Sequence, residues 1–153
     1  MELFNKESYG DEELRVAFEQ YKLYVEMADK VSERRGQANT FFTTVNTLLF
    51  TAFTFLATQK TVWYVLLGAI GCVISFAWFF TLNSYRQLNS GKFKVINEIE
   101  KVLPLSGFSY EWEVLEKGKS KTRYWKLSSV ERVVPVIFFI SYIATALLHI
   151  FLA

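Results

Sequence analysis

ANTFFTTVNTLLFTAFTFLAT (residues 38–58) and TVWYVLLGAIGCVISFAWFFTL (residues 61–82) are the stretches whose reading decides the fold. Both are free of charged side chains, and only Gln59 and Lys60 separate them. At about 1.5 Å per helical residue, a run of about 20 residues crosses a hydrocarbon core about 30 Å thick. Helices in soluble cores seldom run that far without a charge, so the pair reads as two antiparallel membrane helices joined by a tight turn. A third uncharged run, VVPVIFFISYIATALLHIFLA (residues 133–153), carries one histidine. The expected fold is therefore an all-α membrane protein with three transmembrane helices. Its membrane segments are residues 38–58, 61–83 and 132–153, with an outer turn at 59–60.

Charge placement orients these segments. Of the 17 Lys and Arg residues, six precede the first run, one lies in the turn, ten lie between the second and third runs, and none follows. The positive-inside rule then places the N-terminus and residues 86–132 in the cytoplasm. It places the turn and the C-terminus outside. The N-terminus is acidic and has no apolar core of the signal-peptide type. The lone Cys72 excludes an internal disulfide and reads as a small packing residue.

Outside the membrane, residues 1–37 are expected to hold a cytoplasmic amphipathic helix beginning at Asp11. Asp11, Glu12 and Glu13 favour the positive end of its dipole. Leu14, Phe18, Tyr21, Val25, Ala28 and Val31 recur at steps of three and four and form one apolar stripe. The charges on its other faces are largely acidic, which disfavours lying on a membrane surface and favours packing against another helix. A partner is available. The stripe Leu82, Tyr85, Leu88, Phe93, Ile96 and Ile99 carries the second membrane helix onward through residues 84–104 until Pro104 ends it. Arg34, Arg35 and Arg132 flank the membrane runs as anchors or lipid-headgroup contacts.

Residues 105–131 change period. Tyr110, Trp112 and Val114 alternate with Ser109, Glu111 and Glu113, EKGKSKT follows as a polar turn, and RYWKL (123–127) reads as a return strand. A small cytoplasmic β-hairpin is the expectation. Ser128 and Glu131 have the spacing of a capping box ahead of the last run.

The membrane helices carry unusual polarity. Asn39, Thr43, Asn46, Thr47, Thr51 and Thr54 lie on one broad face of the first, and Gly68, Gly71 and Ser75 make a small-residue strip on the second. Polar groups in hydrocarbon need partners, so these residues mark contacts between helices, within the protomer or at an oligomer face, or the lining of a wet cavity. Ser141, Thr145 and His149 add a smaller polar row to the third.

The segments YxxxxEMADKVSERRGQANTFFTTVNT, LNSYRQLNSGKFKVINEIEKVLP, FSYEWEVL and SSVERVVP together resemble the RipA-type octameric membrane proteins, a family of small bacterial inner-membrane proteins. The resemblance covers about Tyr21 to Pro135. It implies a cyclic homo-oligomer, specifically an octamer; composition and periodicity do not supply that number. Membrane lipids are expected neighbours, as is a cytoplasmic protein partner, and nucleic acid is not. One His and one Cys cannot build a tetrahedral metal site, and no phosphate-binding glycine loop is present. No catalytic residue, metal or cofactor is assigned. Two functions remain open: a membrane scaffold, or a pore-forming or membrane-perturbing effector of bacterial stress or defence.

Overall fold

The computed structural model describes residue 3 and residues 10–55, 61–118 and 127–152. Two long helices dominate: α1, Asp11–Phe55, and α2, Thr61–Glu100. A short helix α3 covers Gly107–Val114, followed by a single 3-10 turn at Glu116–Gly118. Then α4, Leu127–Glu131, leads into α5, Val133–Leu152. Both long helices run unbroken through the glycines outside the uncharged runs, Gly36 in α1 and Gly91 in α2.

The chain divides into two compact units. One comprises residues 1–34 and 85–126 and carries most of the charge. The other comprises residues 35–84 and 127–153 and carries the uncharged runs.

The structure corrects the expected fold in two places. All elements among the described residues are helical, so the β-hairpin is absent. The FSYEWEV stretch lies in α3, and of the proposed return strand at residues 123–127, Leu127 opens α4 while the rest lies outside the described residues. Six alternating residues do not distinguish a strand from two turns of helix. Here the alternation splits into Phe108 and Trp112 on one side and Tyr110 and Val114 on the other, each pair one turn apart. The second correction is the number of spans. Among the described residues two helices, not three, are long and apolar enough to cross a membrane: Val62–Glu100 and Ser129–Phe151. The described part of the first run, residues 38–55, carries no charge but falls short because Asn39, Thr40, Thr43, Thr44, Asn46, Thr47 and Thr51 lower its hydropathy. Its remaining residues, 56–58, lie outside the described ones.

In the apolar unit the C-terminal half of α1 packs beside both spans as the third helix of a bundle. Phe53, Trp78, Leu82 and Tyr142 form its core, each at most 2% exposed. Phe53 and Tyr64 lie with ring centroids 3.9 Å apart, Phe50 meets Tyr142 edge-on at 5.5 Å, and Phe42 stacks on Trp78. Such pairs contribute about 0.5–1.5 kcal/mol beyond the area they bury. The outer faces of the spans are different. Only 28% and 11% of their apolar windows are buried within the chain, so lipid or further protein must cover the rest.

Candidate functional site

Each residue of the expected oligomer or cavity face has a distinct fate, and many are used inside the protomer. Asn46 is fully buried. Its Nδ2 donates to the Phe42 carbonyl at 2.9 Å, and its Oδ1 accepts from Ser75 Oγ at 3.1 Å. Its own carbonyl accepts from the Tyr142 hydroxyl at 3.1 Å, so one residue joins α1 to both spans. Asn39 Oδ1 accepts from the Trp78 indole at 3.2 Å. These bonds satisfy groups that hydrocarbon would leave bare, at about 0.6–2 kcal/mol each.

The small-residue strip is also internal. A Cβ on Gly71 would come within 2.5 Å of the Tyr142 ring, so only glycine lets α5 approach there. At Gly68 the same atom would sit 3.5 Å from Ala146 and Phe53, an ordinary contact. Ser75 is 1% exposed. Toward the other end of the spans, His149 lies against Tyr64 with ring centroids 4.1 Å apart. Its Nε2 is buried without a hydrogen-bond partner among the described residues.

The threonines divide. Thr43 is half-buried and donates to the Asn39 carbonyl at 2.8 Å. Thr40, Thr44, Thr47 and Thr51 are exposed along one stripe. Thr44 donates to the Thr40 carbonyl and Thr51 to the Thr47 carbonyl, so the stripe is polar but its donors turn back onto their own helix. The side chain of Thr54 lies outside the described residues.

In the charged unit, α1 and the end of α2 run antiparallel. Ile96 and Ile99 are buried with Ala28 and Val31 of the facing helix. Leu14, Tyr21, Val25 and Phe93 are half-buried, and Phe18 is 44% exposed and stacked on Tyr21. Asn89 Nδ2 donates to Ser32 Oγ, and Lys92 lies over the Tyr24 ring.

The most built feature here is one that the sequence does not announce. Glu100, the last residue of α2, is 1% exposed. Its carboxylate accepts from the amides of Phe108 and Ser109 at 2.8 and 2.9 Å, from the Ser109 hydroxyl at 2.7 Å and from the Tyr21 hydroxyl at 3.1 Å. It thus caps the N-terminus of α3 from eight residues upstream, where the free amides and the helix dipole favour a negative charge. Phe108 then settles between Tyr21 and Phe93, at 6.4 and 5.6 Å between ring centroids. Burial pushes the carboxyl up, but the bonds from Ser109, Phe108 and Tyr21 outweigh it and hold Glu100 below the usual carboxylate value. Burial, with Glu100 as acceptor and neighbouring charge, pushes the Tyr21 hydroxyl up to about 12. No residue of α3 is itself buried, so the cap and this aromatic contact hold it. Sequence reading missed Glu100 because nothing in EIEKVLP separates a capping glutamate from the solvated Glu98 beside it. Spacing offered one clue, an acid just before a proline-ended helix with serines six and nine residues on.

The flanking arginines also differ. Arg34 is exposed. Arg35 Nε lies 3.2 Å from Glu131 Oε2, with both side chains about 15% exposed, so Arg35 ties α1 to the approach of α5. Glu131, read from sequence as half of a capping box, is drawn into that pair. Arg132 is half-buried and engaged.

Comparison with known proteins adds the identity of the group. The profile of the octameric membrane protein family (8xMP) matches residues 18–151, and the chain belongs to that family. No curated protein and no solved structure matches it.

Proposed function

We propose that this member of the octameric membrane protein family is a homo-octameric scaffold of the bacterial inner membrane, of the RipA type, without a catalytic site or cofactor. The observation that carries the reading is the family match over nearly the whole chain, since the family's description names both a membrane and an octamer. The apolar outer faces of the two spans support it, because they need lipid or further copies around them. In this reading residues 86–132 lie in the cytoplasm and the end of α5 lies outside, following the charge bias. The charged unit is then the surface on which a cytoplasmic protein partner is recruited, and nucleic acid has no part. A cysteine at Gly118 should escape an impermeant thiol reagent in intact cells, and one at Gln59 should react; the reverse labelling would overturn the orientation.

A second reading, a conducting or membrane-perturbing assembly, is favoured by the exposed stripe Thr40, Thr44, Thr47 and Thr51. Repeated around a ring, it would give a hydrophilic lining. Ion flux through purified protein in liposomes separates the two. The scaffold predicts no flux above empty vesicles. Sustained flux that Thr44→Leu with Thr51→Leu reduces while the assembly stays intact would favour the pore.

A further inference from the structure

The charged unit carries two apolar patches on different sides, and we infer that α3 of one copy docks on the outer face of α1 of the next copy in the octamer. The inference rests on the octameric reading above and deepens it.

The first patch is α3 itself. A helix of eight residues does not hold in water on its own account. Here a buried carboxylate and three hydrogen bonds to it fix its first turn, a fourth from Tyr21 holding the carboxylate itself, although none of its residues is buried. Keeping a charge out of water is costly. That cost secures a defined position for a helix whose outer face, Tyr110 at 71% and Val114 at 53% exposed, is apolar. The opposite face, with Phe108, is turned to Tyr21 and Phe93.

The second patch is on α1, where Val16, Leu23 and Met27 are 51%, 55% and 40% exposed. Their spacing of seven and four keeps them in one row. Leu23 lies two residues from Tyr21, so about 200° around the helix from the side on which α3 packs. The two patches therefore point in different directions.

Both patches lie in the unit rich in charge, outside the apolar windows of the spans, so a protein surface is the fitting cover. The family's octamer identifies that surface as a second copy of this chain. A ring needs two different, complementary patches on every protomer, because a self-complementary patch closes at two. An aromatic with a polar tip meeting an aliphatic row is a common interface composition.

Cross-linking tests it in a Cys72→Ala background, with Leu23→Cys and Tyr110→Cys on separately tagged chains. The expected result on mild oxidation in native membranes is a cross-link between the two different chains and none in either variant alone. The double variant should give a ladder ending at eight. Self-pairing of either cysteine would overturn the inference, as would no cross-link while the unsubstituted assembly keeps its mass. That mass, measured separately, reports on the octamer itself. Protection of Tyr110→Cys by anionic lipid vesicles in place of cross-linking would assign the face to a membrane surface and overturn it too. Hydrogen exchange on the unsubstituted protein needs no variant. Residues 15–27 and 107–114 should exchange more slowly in the assembly than in the detergent-dissociated protomer, and equal exchange would contradict the docking.

Discussion

The charged unit and the apolar unit solve the problem of holding helices together with opposite chemistry. The charged unit is locked by one buried carboxylate, Glu100, whose four hydrogen bonds fasten α3 and the start of α1 to the end of α2. The apolar unit has Arg35 and Glu131 at its edge. Inside, it relies on neutral groups, namely Asn46, Ser75, Tyr142 and the Asn39–Trp78 pair, set among stacked rings. A charge-assisted hydrogen bond is roughly twice as strong as a neutral one, but the ion costs several kcal/mol to bury. Beside water a helix end can offset that cost. Among the apolar helices the mild amide and hydroxyl groups suffice.

The contrast predicts where substitution hurts most. Glu100→Ala strands two amides and two hydroxyls, and hydrogen bonds to a charge contribute about 1.5–3 kcal/mol each. It should release α3 and destabilise the charged unit by roughly 3 kcal/mol or more, read as rapid hydrogen exchange over residues 107–114 with the apolar unit unchanged. Gly71→Ala should cost about 1–3 kcal/mol, because the Tyr142 ring has to move from a position 2.5 Å from the new Cβ. Gly68→Ala should cost less, since its new atom meets Ala146 and Phe53 at an ordinary 3.5 Å. Thermal melts of the two variants in one detergent compare them. Equal losses would mean that the α2–α5 contact is looser than described. Asn46→Leu should cost about 1–2 kcal/mol, in keeping with the small worth of hydrogen bonds between membrane helices. A loss as large as that of Glu100→Ala would erase the distinction between the units.

Acid and base sharpen the comparison further, with the smallest effect at neutral pH. The folded carboxyl of Glu100 sits below its ordinary 4.5, so its contribution is complete above that pH. It is lost as pH falls from there toward the lowered folded value. The Tyr21 hydroxyl is raised from 10.0 to about 12, so its contribution is complete below pH 10 and fades as pH climbs through about 12. Melting of the charged unit should therefore be flat between those limits. A step near pH 6 or 7 would show that another group controls it.

Much of this was legible in the residues. The start of α1 at Asp11 follows from three acids in its first turn, and the run of α2 from membrane residues into charged ones follows from an unbroken apolar stripe. What was hidden depended on distant partners. Asn46 and Ser75 read as helix contacts or a cavity face, and nothing in the sequence shows that Ser75 and the Tyr142 hydroxyl both meet Asn46 within one protomer. The helix α3 was hidden because its cap comes from Glu100. The polar end of α1 passed for a span because its residues are uncharged, though asparagine and threonine lower its apolar character.

The most direct test of the account is the mass of the assembly extracted from native membranes without detergent dissociation. The account predicts a single species of eight copies of this chain. A species of one copy, persisting across mild extraction conditions, would contradict it.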